Sequence, residues 1–241
     1  MNHVDVISLP SDAELAQAAA RAWLELVSAA SHAGKTFGVA LSGGRITLKF
    51  FSAVIEQARH QGCSLDGVEF FWADERCVPP DDAESNFAAA DKRFFQPLAI
   101  APARIHRIRG EETPEFAAQQ AEAELCRVAS LNADGQPMLD LIFLGMGEDG
   151  HVASLFPGES ESARTNPAVY RAIRNSPKPP PTRVTLGYPA IAAAREVWVL
   201  ASGGGKEAAL RESLKPDGQT PLSRVLQTHP KPKVFTDIHQ R

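Results

Sequence analysis

The sequence is poor in cysteine and has no long apolar run. Its 241 residues include three cysteines, Cys63, Cys77 and Cys126, without close pairing, so neither a disulfide framework nor a zinc ribbon is predicted, and a reducing, cytoplasmic location is expected. The sequence contains no run of about 18 uncharged apolar residues, so no membrane span is predicted. The first ten residues contain Asp5 but no Lys or Arg, which is not typical of a secretory signal.

An excess of positive charge is also lacking. Lys and Arg total 25 against 29 Asp and Glu, which gives a formal net charge of −4. This balance provides no overall attraction to nucleic acid or to an anionic membrane, so neither is expected as a partner. An anionic ligand must therefore be held by a local site.

The composition that is present is typical of a globular chain. Hydrophobic residues make up 44% and charged residues 22% of the sequence, which is enough to bury a sizeable core. The length allows one large domain or two small ones. The one linker-like interval, residues 176–181, has four prolines in six positions and is too short to separate domains. We expect a single domain over residues 1–241, with a rigid Pro-rich loop.

Strand-like and helix-like segments alternate along the chain. Ser11 and Glu14 form a capping-box signature, and apolar residues then recur at helical spacing until Gly34. A short apolar run at 36–41, a glycine turn and a second helical pattern ending at Gly62 follow. Further strand-like runs lie at 68–73, 139–144 and 196–201, and further helical patterns lie near 114–130 and 205–214. The alternation predicts an α/β fold in which helices cover both faces of a mostly parallel sheet.

Four polar clusters directly follow predicted strands. They are Ser42-Gly43-Gly44-Arg45, Asp74-Glu75-Arg76, the loop from Gly145 to His151, and Ser202-Gly203-Gly204-Gly205-Lys206. Ligands of open parallel sheets bind beyond the carboxyl ends of the strands, which meet at one edge. We therefore expect the four clusters to line a single crevice.

The first and fourth clusters favour an anion. Their glycines allow backbone N–H groups to approach a phosphate at a helix N-terminus, and Lys206 adds a positive charge. Glycines that merely form tight strand-to-helix turns are the alternative. A Walker P-loop is excluded, because Leu200 and Glu207 stand where that motif requires Gly and Ser or Thr. ATP hydrolysis is therefore disfavoured.

The third cluster combines an acid with an imidazole. Gly145, Gly147 and Gly150 match the spacing of a dinucleotide fingerprint, but Pro157 cuts the following segment short, so NAD is not expected. Asp149 and His151 flank Gly150, and a carboxylate can orient an imidazole that takes and returns a proton. The pair suits general-base activation of water, although a lone loop histidine is more often structural.

The second cluster allows two interpretations. Asp74-Glu75-Arg76 is either an internally paired, solvated charge run or a strand-end site in which Arg76 binds an anionic oxygen. Arg183 is a further phosphate candidate or an exposed strand arginine. The other histidines show no ligand spacing with Cys or carboxylates, so no metal is expected; they are His3, His32, His60, His106, His229 and His239. No Gly-x-Ser-x-Gly elbow supports serine-hydrolase chemistry.

Taken in order, these motifs resemble those of the 6-phosphogluconolactonases, within the wider glucosamine-6-phosphate isomerase and deaminase superfamily. The resemblance spans nearly the whole chain and is carried by Ser42-Gly43-Gly44, by 71–79 with Ser85-Asn86-Phe87, by 183–186, and most specifically by 145–157. It implies a modified Rossmann-like three-layer α/β fold. It also implies hydrolysis of the δ-lactone of 6-phosphogluconate in the oxidative pentose phosphate pathway, with a phosphorylated sugar lactone as partner and without cofactor or metal. The oligomeric state stays open between a monomer and a small homo-oligomer.

The resemblance also assigns roles to residues. His151 is similar to the general base that activates water, and Asp149 and Asp74 are similar to its neighbouring polar groups. Ser42, Gly43, Gly44, Arg183 and Lys206 are similar to the phosphate-binding residues of the family, and Gly147 is expected with them as a substrate- or phosphate-binding residue. Arg76 is ambiguous between phosphate and a substrate oxygen. Many relatives have Thr-Pro soon after the glycine pair where this chain has Arg45-Ile46-Thr47-Leu48, so Arg45 either contacts phosphate or faces solvent.

Two other functions remain open at this point. A glucosamine-6-phosphate deaminase or isomerase would share the Asp-Gly-His turn, but such relatives carry a glutamate shortly after the histidine, where this chain reads Ser154-Leu155-Phe156-Pro157. A non-catalytic sugar-phosphate sensor is the alternative from another class, and no appended helix-turn-helix or basic face favours it.

Overall fold

Six parallel strands form the central sheet of the structure, a computed structural model that describes residues 4–238. Its strands run in the order β1-β9-β8-β5-β2-β3, and every neighbouring pair is parallel. They are β1 (Asp5–Ser8), β2 (Phe37–Leu41), β3 (Val68–Trp72), β5 (Leu141–Gly145), β8 (Glu196–Ala201) and β9 (Pro232–Thr236). The predicted α/β fold with a mostly parallel sheet is confirmed. His3 and His239, two of the histidines without ligand spacing, lie outside the described residues.

Helices connect most of these strands. They are α1 (Asp12–His32), α2 (Arg45–Gln61), α3 (Asn86–Ala90), α4 (Pro114–Val128), α5 (Glu161–Arg164), α6 (Tyr188–Ala193), α7 (Glu207–Ser213) and α8 (Pro221–Thr228), with a π-helical turn at Asp91–Phe95 and a 3₁₀ turn at Pro102–Arg104. At the start of α1 the structure shows the serine half of the predicted capping box, and at the end of α2 it shows the predicted glycine. The Ser11 hydroxyl accepts from the amide of Glu14 at 3.2 Å, and Gly62 ends α2 in the left-handed conformation. Within residues 4–238, no helix is long and apolar enough to cross a membrane.

Aromatic side chains join the helices to the sheet. Trp23 of α1 is fully buried, and its ring lies 5.7 Å from that of Phe50 in α2 and 5.9 Å from that of Phe143 in β5. Fully burying a large apolar side chain stabilises the fold by about 1.5–3 kcal/mol. The buried hydrophobic residues of both helices and of the sheet belong to one cluster, so α1 and α2 are packed against the part of the sheet that contains β5 and β2.

A second, smaller sheet differs from expectation. Asp74–Arg76, predicted as a polar loop after a strand, forms strand β4, which pairs antiparallel with β7 (Arg183–Leu186); β6 (Tyr170–Ile173) completes the sheet. Three charged residues carry no alternating apolar pattern, and their strand conformation depends on pairing with a distant segment. The pairing brings Asp74 opposite Thr185, and thereby places Asp74 close to Arg183.

Candidate active site

The predicted clusters meet in one cavity at the carboxyl edge of the central sheet. Because β8, β5, β2 and β3 are adjacent and parallel, the segments that follow them converge there. The cavity has a volume of about 700 Å³. Its lining includes every residue singled out for the site except Asp149, namely Ser42, Gly43, Gly44, Arg45, Asp74, Arg76, Gly147, His151, Arg183 and Lys206. Asp149 is hydrogen-bonded to His151, which does line the cavity.

One end of the cavity is formed by the N-terminus of α2. Gly44 precedes this helix with φ at +114°, a conformation that favours glycine. Among residues 4–238 no side chain caps the helix, and its first turn contains no acidic residue, so its first amide groups are available to an anion. The Ser42 hydroxyl donates to the Phe143 carbonyl at 2.8 Å. The Ser42 hydroxyl proton is therefore already used, and only the hydroxyl oxygen can still accept a hydrogen bond from a ligand.

Asn86 supports this glycine turn. A Cβ atom at Gly43 would lie 2.0 Å from the Asn86 Oδ1 atom, which explains why position 43 is glycine. The Asn86 amide in turn donates to the Asp74 carbonyl at 2.9 Å. The β2 turn and the β4 strand are thus packed directly against each other at the cavity wall.

Two cations lie at the same end. Lys206 stands before α7, and burial, followed by the nearby charge of Arg45, lowers its pKa. Within residues 4–238 neither Arg45 nor Lys206 has a side-chain hydrogen bond or an ion pair. A Cβ atom at Gly203 would lie 3.9 Å from the Arg45 Nη2 atom, so Arg45 extends toward the turn after β8. Two like charges this close, next to open helix amides, form an environment that favours a dianion.

His151 and Asp149 form a hydrogen-bonded pair at the cavity wall. The distance from His151 Nδ1 to Asp149 Oδ1 is 2.5 Å, and an ionised carboxylate only accepts, so Nδ1 carries the proton and Nε2 keeps its lone pair. The imidazole packs on the ring of Phe156, 4.7 Å between centroids. Its turn is closed by a hydrogen bond from the Gly147 amide to the His151 carbonyl at 2.9 Å.

The electrostatics of this pair favour a neutral imidazole beside a charged carboxylate. Burial lowers the pKa of His151 and outweighs the opposite effect of Asp149. Burial alone would raise the pKa of Asp149, but the hydrogen bonds from His151 bring it below its usual range. An imidazole that is neutral near pH 7, with its free nitrogen at a cavity, has the properties of a general base.

The Arg183 guanidinium makes more hydrogen bonds within the protein than the sequence indicated. Its guanidinium donates to the carbonyls of Lys178, Pro179 and Pro180 at 2.9–3.2 Å, which fixes the Pro-rich loop. Its Nη1 atom lies 3.4 Å from the Ser154 hydroxyl and 3.9 Å from the Asp74 carboxylate. Since most of its donors are already used, Arg183 positions the loop as well as lining the cavity.

Asp74 and its neighbours in β4 differ in accessibility. Asp74 accepts from the Ser154 hydroxyl at 2.7 Å and lines the cavity. Glu75 points elsewhere: it accepts from the amides of Arg76, Asn86 and Phe87, and burial raises its pKa to about 7. The Arg76 guanidinium lines the cavity and donates to the Glu84 carbonyl at 2.8 Å. The alternation of a strand thus separates Asp74 from Glu75, which has a structural role.

Lys178 is a cavity residue that sequence reasoning missed, and so are Asp12 and Lys49, which pair with each other. Lys178 lines the cavity from the Pro-rich loop, where only a rigid connection had been expected. Its charge lowers the pKa values of His151, Asp149 and Lys206, so it acts on the imidazole as well as on the cation at the dianion end. A lone cation within a run of prolines was the available signal. Among residues 4–238, no three His, Cys, Asp or Glu side chains come together as metal ligands would.

The fold and the cavity define a class: an α/β protein that combines an open helix N-terminus, two unpaired cations and a His–Asp pair at the carboxyl edge of its sheet. Residues 10–235 match the family described as glucosamine-6-phosphate isomerases/6-phosphogluconolactonase. The chain belongs to this family.

One curated relative supports the same membership, and two solved structures share the fold. The 6-phosphogluconolactonase of Streptomyces coelicolor is 35% identical over 208 residues, which are 84% of this chain and 79% of that protein. The structure of 6-phosphogluconolactonase from Trypanosoma brucei superposes with a TM-score of 0.87 at 24% identity, over 98% of this chain and 97% of that one. A monomeric glucosamine-6-phosphate deaminase superposes with a TM-score of 0.79 at 21% identity, over 96% of each chain. The fold is therefore shared by both activities, and the site must distinguish them.

Proposed function

We propose that this chain is a 6-phosphogluconolactonase, which hydrolyses 6-phospho-D-glucono-1,5-lactone to 6-phosphogluconate in the oxidative pentose phosphate pathway. The observation that carries the proposal is the presence, in one cavity, of a dianion site and a neutral imidazole held by a carboxylate. The similarity to the 6-phosphogluconolactonase of Streptomyces coelicolor supports the same activity. A single catalytic domain in the cytosol is part of the proposal, and the cysteines at 63, 77 and 126 are all unpaired, as they would be there.

The proposed reaction begins with binding of the phosphate. The amides after Ser42, with Arg45 and Lys206, hold the phosphate and thereby place the ring near His151. His151 Nε2 takes a proton from water as the water oxygen bonds to C1 of the lactone. The bond from C1 to the ring oxygen then breaks, and the imidazolium returns the proton to that oxygen. Asp149 fixes the ring and stabilises the imidazolium between the two transfers.

Negative charge develops on the carbonyl oxygen during the attack. Arg76 and Lys178 are the cations placed to offset it, and a well-positioned donor contributes about 3 kcal/mol to such a transition state. Arg76 is held by Glu84, whereas the Lys178 ammonium has no side-chain partner within residues 4–238. Asp74 completes this wall and suits a hydroxyl group of the sugar.

The direct test is proton release from freshly generated 6-phosphogluconolactone, followed in a weakly buffered solution. We expect rapid acid release with the phosphorylated lactone and much slower release with unphosphorylated gluconolactone. Hydrolysis of both at the spontaneous rate would contradict the proposal and would leave a non-catalytic sugar-phosphate sensor as the alternative.

A deaminase is the second candidate because it shares the fold. Positions 152–157 contain no carboxylate, and Ser154 is fully buried with its hydroxyl bonded to Asp74. No acid is therefore available there to move protons during ring opening of an amino sugar. Ammonia release from glucosamine 6-phosphate tests this directly, and release at an enzymatic rate would favour the deaminase.

Lys206 is expected to act on binding rather than on chemistry. Loss of a charged hydrogen bond to phosphate in Lys206→Ala should raise KM for the phosphorylated lactone by about 10- to 100-fold, with a small change in kcat. The KM for unphosphorylated gluconolactone should be unchanged. Lys35→Ala is the matched control, because Lys35 is exposed and precedes β2, at the opposite edge of the sheet. An unchanged KM in Lys206→Ala would remove Lys206 from the phosphate site.

The pH dependence reports on the charges around His151. Only the neutral imidazole accepts a proton, so kcat/KM should fall as pH decreases through the His151 pKa, which burial places below its ordinary value of about 6.5. Asp149 and Asp74 raise this pKa and Lys178 lowers it. Lys178→Met should therefore move the acid limb to higher pH.

The control for this shift is Lys231→Met. Lys231 directly precedes β9, so it lies at the amino ends of the strands, opposite the cavity. The acid limb of the kcat/KM profile of Lys231→Met should coincide with that of the wild type. An unmoved limb in Lys178→Met would show that Lys178 does not face the imidazole.

A further inference from the structure

Glu75 is a buried carboxylate that the proposed reaction does not use. It lies between Asp74 and Arg76 in β4, and both of these neighbours line the candidate active site. Glu75 itself is only 2% exposed. A buried carboxylate is strongly unfavourable unless the protein supplies hydrogen-bond partners for it. The partners of Glu75 therefore indicate its role.

The Glu75 carboxylate accepts four hydrogen bonds from within residues 4–238. Its Oε1 atom accepts from the amides of Arg76 at 2.7 Å and Asn86 at 2.8 Å. Its Oε2 atom accepts from the Phe87 amide at 2.7 Å and from the Ser85 hydroxyl at 3.1 Å. An ionised carboxylate has about four acceptor positions and no donor, so the group is fully used. Three of the four donors belong to the segment that leads into α3, and the carboxylate thereby fixes that segment.

Asn86 connects this segment to the wall of the candidate active site. Its backbone amide is held by Glu75, and its side-chain amide donates to the Asp74 carbonyl at 2.9 Å. Its Oδ1 atom is so close to Gly43 that a Cβ atom there would lie 2.0 Å away. The Gly43 carbonyl accepts from the Thr47 hydroxyl at 3.1 Å, so Asn86 holds the turn on one side and α2 holds it on the other. A shift of Asn86 therefore moves Gly43 as well.

The position of this turn decides where the first amides of α2 point. Gly44 directly follows Gly43 and precedes the helix with φ at +114°. Amide groups at a helix N-terminus bind an anion through hydrogen bonds, which weaken steeply when the donor is displaced or misaligned. Phosphate binding at this turn thus depends on the contacts that hold the turn.

We propose that Glu75 is a positioning residue for phosphate binding, because its carboxylate fixes Asn86 and, through Asn86, the turn at Gly43 and Gly44. This inference rests on the proposed function, which places the substrate phosphate at that turn. Glu75 does not touch the substrate. Its effect is on the affinity for the phosphorylated group.

Glu75→Gln is the first test, because glutamine keeps the size of the side chain but replaces one oxygen with an NH₂ group. The Ser85 hydroxyl can rotate to accept from that group, whereas the backbone amides around it cannot. At least one backbone amide then faces a donor, and the segment that leads into α3 must move. We expect KM for the phosphorylated lactone and Kd for 6-phosphogluconate each to rise by about tenfold. The KM for unphosphorylated gluconolactone should be unchanged.

Asn86→Ala tests the next contact along the same route. It leaves the Glu75 carboxylate with all of its donors, because the backbone amide at position 86 remains, but it removes the side chain that holds Gly43. The same rise of about tenfold in KM and Kd is expected. The double variant should bind 6-phosphogluconate within about twofold of the weaker single variant, because changes that act through one contact are not additive.

Glu122→Gln is the matched control. The Glu122 Oε2 atom also accepts from two backbone amides, those of Val169 at 3.0 Å and Tyr170 at 3.3 Å, but it faces a different cavity, beside α4 and β6. This variant should lower the melting temperature without changing KM or Kd.

The conditions keep the two proposals separate. Burial raises the pKa of Glu75 to about 7, against the effect of its amide donors, so the measurements are made at about pH 8, where the carboxylate is ionised. Binding of 6-phosphogluconate is measured by calorimetry and involves no turnover. It therefore decides the role of Glu75 even if the wild type opens no lactone.

Three results would overturn the inference. The first is a folded Glu75→Gln chain with a lowered melting temperature but unchanged KM and Kd, because Glu75 would then contribute to stability alone. The second is a fall in kcat with unchanged KM, because the segment would then act on Arg76 through the Glu84 carbonyl. The third is wild-type binding in Asn86→Ala, because the turn would then hold its position without Asn86. If Glu75→Gln does not fold, the Asn86→Ala result decides, since the proposed route passes through Asn86.

Discussion

His151→Gln is expected to lower kcat for the phosphorylated lactone by about 10²–10⁴-fold, the usual contribution of a general base. Glutamine retains a polar side chain of similar reach but cannot take a proton from water. The phosphate end of the cavity is untouched, so KM should change little. The measurement is proton release under saturating substrate, together with binding of 6-phosphogluconate by calorimetry.

The comparison for this variant is His60→Gln, since His60 is exposed near the end of α2 and should behave as the wild type. Product binding that remains normal in His151→Gln would show that the cavity is intact and that the loss is chemical. Turnover within a few-fold of the wild type would exclude His151 as the base, because removal of a base from such a reaction cannot be silent.

The parts of the fold with strong periodicity could be predicted from the sequence. The strand, glycine turn and helix from residue 36 to Gly62, and the runs that became β3, β5 and β8, have patterns that local physics determines. The convergence of the polar clusters followed from the rule that parallel strands end at one edge. The Asp149–His151 pair was identifiable because both residues flank the same glycine and their contact is local.

The parts that depend on long-range pairing could not be predicted in the same way. Strand β4 has only three residues, all charged, and exists because β7 pairs with it more than 100 positions later. The same pairing decides that Asp74 faces the cavity while Glu75 is buried under the turn at Asn86. A sequence pattern does not show which of two adjacent acids a distant strand will turn inward.

Lys178 and Arg183 show a related limit. Arg183 was expected as a phosphate ligand, but the loop carbonyls that take its donors belong to a segment whose path depends on tertiary structure. Lys178 reaches the cavity because that loop is fixed by Arg183. The two residues are therefore coupled: the arginine positions the loop and the lysine supplies the charge. The different roles of the two residues follow from the path of the loop, which the sequence does not show.

The cavity contains unpaired cations although the chain as a whole is negatively charged. The net charge of the chain is −4, yet Arg45, Lys206 and Lys178 all line the cavity without side-chain partners among residues 4–238. Burial, followed by the charge of Arg45, lowers the pKa of Lys206, so keeping these cations unpaired is unfavourable in the free protein. An incoming dianion relieves their mutual repulsion, so part of the binding energy comes from the cost of keeping the site open.

Gly147→Ala should reduce kcat by about 10²-fold or more, even though it adds a single methyl group. A Cβ atom at position 147 would lie 2.0 Å from His151 Nδ1, 2.1 Å from Cε1 and 2.7 Å from Asp149 Oδ1. No favourable contact permits such distances, so the imidazole must leave its position between Asp149 and Phe156. A displacement of about 1 Å in a catalytic group can cost about 10²-fold in rate.

The backbone at Gly147 does not require glycine, since its φ lies outside the left-handed region, so Gly147→Ala should fold and retain 6-phosphogluconate binding. Gly67→Ala provides the comparison, because a Cβ there would contact only the Lys35 carbonyl at 3.9 Å. It should be as active as the wild type. If Gly147→Ala kept full activity with an unchanged pH profile, the imidazole would not act from the position that the structure gives it, and the pairing of His151 with Asp149 would have no part in the reaction.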